Sequence, residues 1–254
     1  MGADSYYSHG FIIPLVTGFL IWQKRSQLRA ADVGLSWWGL WVVLAAVLIH
    51  ILGVTLYVFS ISGFSIFFLI IGLSLFVFGK QATRIIIFPL TYLIFMFPVP
   101  EAFISAISFP MKMLVAKTGV DIVRLLGVPV FREGFNITIP AGSLLVGNPC
   151  SGLRSLIALM ALGSVFAYMM NISLAKKIIL FLLSIPIAVI SNIVRVPILI
   201  LISQYWGLEA AAPDSFWHTA SGIFVFVISL GALYLTGIFL QWVKYKQGIL
   251  LRSS

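Results

Sequence analysis

Residues 67–95, FFLIIGLSLFVFGKQATRIIIFPLTYLIF, decide how this chain is read. Two apolar runs, 62–79 and 85–98, meet at a short segment that holds Lys80 and Arg84 and no acid. A bilayer core about 30 Å thick is crossed by roughly 20 apolar residues in a helix. Short loops rich in Lys and Arg stay in the cytoplasm. The stretch therefore reads as one crossing inward, a basic cytoplasmic turn and one crossing outward.

The rest of the sequence extends that reading. Of 254 residues, 61% are hydrophobic and only 9% charged, whereas a soluble domain carries about 25% charged residues. So much apolar surface requires lipid as its solvent. Further basic clusters lie at Lys24, Arg25 and Arg29, at Lys176 and Lys177, and at Lys244, Lys246 and Arg252. Placing every cluster in the cytoplasm gives seven crossings: 6–22, 37–58, 62–79, 85–98, 153–170, 178–205 and 216–242. The N-terminus is then outside and the C-terminus inside. The run from Gly10 to Trp22 is read as a retained helix, because basic residues follow rather than precede it.

An eighth helix, 101–126, breaks this parity. Glu101, Ser105, Ser108 and Lys112 share one helical face, while Lys117, Asp121 and Arg124 share a nearly opposite one. The split predicts an interfacial or re-entrant element. Residues 127–148 are the least helical. "FNITIP" alternates like a strand, "AG" signals a turn and "SLLV" is a returning strand, which predicts a small extracytoplasmic β-hairpin. The fold class is thus an all-α polytopic membrane protein of seven to eight helices plus that hairpin, in one domain over 1–254.

The net charge of +9 is explained by loop asymmetry. No basic face with interleaved aromatics points to nucleic acid. One cysteine excludes an internal disulfide. His9, His50 and His218 are far apart and form no H-E-x-x-H pattern, so neither a metal nor another cofactor is expected. His50, in "VLIHILG", reads as a packing or hydrogen-bonding residue.

Three polar sites in apolar surroundings need an explanation, since an ionisable group at a helix centre costs roughly 2.5–3.5 kcal/mol on insertion scales. Cys150 and Arg154 stand at the start of the helix at 153–170. Arg195 interrupts "IVRVPILILI", and His218 opens the last helix in "DSFWHTASG". Lys177 and Arg195 are 18 residues apart, about 27 Å along a helix. The loop-charge topology, set without these residues, therefore brings thiol, guanidinium and imidazole to the outer ends of three consecutive helices.

That trio suits nucleophilic catalysis. A helix N-terminus and a nearby cation favour the thiolate. Ser151 or Cys150 is expected as N-cap, and Cys150 would share a face with Arg154 if the helix started early enough. His218 would exchange protons with the thiol and the leaving group. Arg195 would stabilise an oxyanion or the thiolate. Asp214 would orient the imidazole, or act as an N-cap. Asn192, one turn before Arg195, is a supporting candidate or an interhelical hydrogen-bonding residue. Arg195 itself has a plain alternative as a partner of Glu101 or of backbone carbonyls.

"NPCSGLRS", "SNIVRVP" and "DSFWHTASG", in that order, resemble the exosortase/archaeosortase family. So do "RLLGVPVFREGFNITIPAGSLLV", "YSHGFIIPLVTGFLIW" and "FPLTYLIFMFPVPE". The resemblance implies a polytopic inner-membrane cysteine protease or transpeptidase, linked to protein sorting and surface polymer export. It would be a sortase-like hydrolase, its site on the extracytoplasmic face. Its implied partners are proteins with PEP-CTERM signals, each a short Pro-Glu-Pro-type motif, a transmembrane helix and a basic tail. The family's nucleophile falls on Cys150, its arginine on Arg195 and its histidine on His218. Pro149 stands where many members have Ala. Two rival readings remain: a rhomboid-like serine protease using Ser151, whose Ser151-Gly152 resembles part of that family's motif, and a non-enzymatic transporter or assembly factor.

Overall fold

The structure, a computed structural model, describes residues 10–97, 99–147 and 152–250, with side chains through Trp242. The chain divides into two compact units, Met1–Phe103 and Ile104–Ser254.

The first unit holds α1 (Ile12–Gln23), α2 (Arg25–Arg29), α3 (Trp37–Thr55) and α4 (Phe59–Tyr92). The stretch quoted at the outset forms most of α4, and its backbone leaves helical geometry at Gly79, with φ +78° and ψ 179°. There the chain doubles back. Ser74 and Thr83 hydroxyls lie 3.0 Å apart, whereas nine residues of straight helix would separate them by about 13.5 Å. The Phe64 and Phe67 rings each lie 6.4 Å from that of Phe97. The inward-then-outward reading of 62–79 and 85–98 thus describes one helical hairpin with a glycine at its apex. Only glycine adopts this backbone readily, and the carbonyl of Gly34 packs against the space a Cβ would occupy.

Small residues let α3 approach the first arm of that hairpin: a Cβ on Gly53 would stand 2.7 Å from the Ser62 nitrogen, and one on Gly72 2.9 Å from the Val43 nitrogen. His50 bridges the same interface, its Nδ1 lying 3.0 Å from the Ser62 hydroxyl and 3.2 Å from that of Ser65. It is a hydrogen-bonding residue between helices.

The second unit contains the rest of α5 (Glu101–Leu125), then β1 (Phe131–Glu133), β2 (Asn136–Ile139), β3 (Gly142–Leu145), α6 (Leu153–Met169), α7 (Leu174–Trp206) and α8 (Phe216–Leu250). The β2–β3 hairpin matches the expectation from the sequence. A further strand, β1, pairs antiparallel with β2 in the order β1-β2-β3. Along β2 burial alternates, and Ile137 and Ile139 face inward onto Val115, Val120 and Val123 of α5 and Val196 and Ile200 of α7.

The element at 101–126 is not broken as a re-entrant segment would be. It is one continuous 25-residue helix, long and apolar enough to cross a membrane, with Pro110 inside it. Val115, Ala116, Gly119, Val120 and Val123 form a buried stripe. Gly119 sits close against Val196. This small apolar face sets the element's course, and the split of its polar residues does not break it. Five helices among the described residues have the length and composition of membrane spans, with Phe59–Met96 counted as one.

Helices α6, α7 and α8 run up, down and up. At one end, Lys176 donates to the Leu240 carbonyl at 2.8 Å and Lys177 to the Tyr168 carbonyl at 2.9 Å. The opposite end carries Gly152, Arg195 and His218.

Candidate functional site

Helix α6 begins at Leu153, and its N-cap is Gly152, held at φ +73°. Cys150 and Ser151 lie outside the described residues. The expectation that one of them caps the helix is therefore replaced by a glycine cap. The expected shared face of Cys150 and Arg154 likewise falls on a residue outside the described ones. The Gly152 carbonyl accepts from the Ser155 hydroxyl at 2.8 Å and from the Leu156 amide at 2.9 Å. A Cβ at position 152 would stand 2.6 Å from the Asn192 amide group. Asn192, only 2% exposed on α7, thus backs the turn that follows the cysteine.

One turn further along α7, Arg195 turns its guanidinium toward α8. Its Nη2 donates to the main-chain carbonyl of His218 at 3.1 Å. The alternative in which this arginine serves backbone carbonyls is thus met in part. Position 222 gives the guanidinium its space: a Cβ there would lie 3.1 Å from Nη2.

His218 is 5% exposed. Its Nδ1 lies 3.1 Å from the carbonyl of Ala211, in the 3₁₀ turn Leu208–Ala211. A carbonyl can only accept, so Nδ1 carries the proton and the neutral ring is left with Nε2 as its basic nitrogen. The backbone amide of His218 donates to the Ser215 hydroxyl at 3.1 Å, an N-cap arrangement for α8. Ser215 in turn donates to the Ala210 carbonyl. The cap and the ring-orienting acceptor therefore come from Ser215 and Ala211. Asp214 is exposed and lines the cleft beside them.

These side chains enclose one cleft of about 490 Å³, bounded by Gly152, Arg154, Ser155, Arg195, Asp214, His218 and Gly222. The structure thus gathers Arg154, Arg195, Asp214 and His218 around the residue that follows Cys150-Ser151 in the chain. Asn192 sits behind Gly152 and reaches a smaller cavity shared with Ser155, Ser191, Arg195 and Ser229. No group of three or more His, Cys, Asp or Glu able to hold a metal occurs among the described residues.

Comparison with known families decides the kinship. A family model described as transmembrane exosortase (Exosortase_EpsH) matches residues 1–235. The chain belongs to the transmembrane exosortase family. Among curated proteins and among solved structures nothing matches it. Membership supports a membrane transpeptidase or protease role in general, and the fold is that of a polytopic membrane protein.

Sequence reasoning missed Gly222, Ala211 and Ser215. Gly222 had a signal, since it follows His218 by four residues and so shares its helical face. Ala211 acts through its main chain and had none. Ser215 stood in the quoted motif, but Asp214 drew attention as the stronger orienting group.

Proposed function

We propose that this exosortase cleaves C-terminal sorting signals of membrane-anchored substrates through Cys150, Arg195 and His218. The observation that carries the reading is the single cleft shared by Gly152, Arg195 and His218. Gly152 is two residues from Cys150, and two residues of chain span at most about 7 Å. The proposed nucleophile is thus two residues in sequence from a residue that lines this cleft.

In the reaction, Nε2 of His218 takes the thiol proton, while the Ala211 carbonyl keeps Nδ1–H in place. The thiolate attacks the scissile carbonyl, and the oxyanion that forms is stabilised by Arg195. The C–N bond then breaks, the imidazolium returns its proton to the leaving amine, and a thioester remains on Cys150. Water or an external nucleophile resolves the thioester and regenerates the thiol. Arg154 and Asp214 line the cleft as substrate-binding groups, and Asn192 holds the Gly152 turn. With the basic loops in the cytoplasm, the cleft opens on the extracytoplasmic face of the inner membrane. A substrate with a short motif, a membrane helix and a basic tail meets it there.

Cys150→Ala and Ser151→Ala, each co-expressed with a reporter bearing such a tail, test the reading. Processing is expected to vanish in the first and persist in the second. The reverse result would favour a serine mechanism and overturn the proposal.

A further inference from the structure

A second cavity, about 540 Å³, lies wholly in the first unit. The two arms of the α4 hairpin form most of it, with Ile21 of α1 and Leu28 and Arg29 of α2 closing its side. Its walls are almost entirely apolar, and Arg29 is the one charged side chain among them.

The groove has a direction. Phe78 precedes the Gly79 apex, and Val33 precedes Gly34, whose carbonyl packs against that apex. The Asp32 amide bonds to Gln81 at 3.3 Å, which ties the segment after α2 to that same end. Ile70 and Leu90 mark the other end. From Phe78 to Ile70 is eight residues, about 12 Å of helix. One leaflet's hydrocarbon is about 15 Å deep, half of a 30 Å core. Leu73 and Phe78 are 53% and 48% exposed here, so chain packing leaves the groove open. Arg25, four residues before Arg29 and so on the same helical face, lies over the Trp22 ring at 4.1 Å.

We propose that this groove binds one anionic phospholipid from the leaflet at the Lys80–Arg84 turn. An acyl chain lies in the groove along the two hairpin arms, beside α1 and α2, and the headgroup phosphate pairs with Arg29. Length and charge both select this occupant. The apolar trough matches one leaflet in depth, and Arg29 is the one charged residue that lines it.

Native mass spectrometry of the full chain tests this, after purification from membranes and exchange into mixed micelles of phosphatidylglycerol and phosphatidylcholine. The wild type is expected to retain one phosphatidylglycerol. Arg29→Gln should reduce its occupancy about fivefold, the worth of one basic residue beside an anionic surface. Lys80→Gln, whose ammonium rests 5.9 Å from the Trp38 ring, should not. Ala82→Phe should expel the lipid by filling the trough. If that variant fails to fold, Leu73→Trp at an exposed wall position asks the same question. Equal retention of both lipids, or occupancy unchanged by Arg29→Gln, would overturn the proposal. So would a peptide helix in place of the lipid.

Discussion

Gly222→Ala separates stability from catalysis in opposite directions. In the interior of α8 an alanine is favoured over glycine by about 0.5–1 kcal/mol. The added Cβ, however, would stand 3.1 Å from Nη2 of Arg195 and 3.3 Å from its Cζ. Such contacts force the neighbour to move by a few tenths of an ångström, and here the neighbour is the end of a flexible side chain. The fold therefore survives while the guanidinium retreats. Its bond to the His218 carbonyl, already 3.1 Å, is lengthened. Complete loss of an oxyanion donor costs about 10²–10³ in kcat. A displaced donor should cost about tenfold, or about 1.4 kcal/mol of transition-state stabilisation. The assay pairs in-cell processing of a sorting-signal reporter with a thermal melt of the detergent-solubilised protein. The expected result is slower processing at an equal or higher Tm. Undiminished processing would refute the placement of Arg195 beside position 222 as a catalytic requirement. A lowered Tm with lost activity would show instead that the glycine serves packing.

Other perturbations follow from the same geometry. Gly152→Ala combines a left-handed backbone with a 2.6 Å contact to Asn192, and should lower processing more than a hundredfold. Asn192→Ala in the same chain should recover part of the loss, read with the same reporter. In a Cys150→Ser background, Ser74→Cys with Thr83→Cys should form a disulfide under mild oxidation, seen as a gel shift. A straight α4 would keep those thiols about 13.5 Å apart and unlinked. Ser215→Ala removes the α8 cap and should destabilise the protein by about 1 kcal/mol, measured as a lower Tm.

What could be read from the sequence follows from what is costly in lipid. Arg195 and His218 stood out because a charged or ionisable group in an apolar helix demands a reason, and loop charges alone brought both to one end of the bundle. The helical hairpin of α4 was likewise legible, since Lys80 and Arg84 forbid a single span through that point. The turn on Gly79 was not, because the requirement comes from the Gly34 carbonyl, which is far away in the chain. β1 was missed because three residues, Phe131-Arg132-Glu133, give no alternation to detect. The continuity of α5 was not legible because its charged residues drew attention, while its buried stripe consists largely of Val, Ala and Gly. The imidazole's orienting group was hidden because any residue at position 211 would offer the same carbonyl.

The most direct measurement is mass spectrometry of the Cys150 peptide after the purified enzyme is incubated with a sorting-signal substrate and quenched in acid. A thioester-linked acyl fragment on Cys150 is predicted. It should be removed by hydroxylamine, absent from Cys150→Ala and retained in Ser151→Ala. Processing that persists in Cys150→Ala, or an acyl group found on Ser151, would contradict the cysteine site.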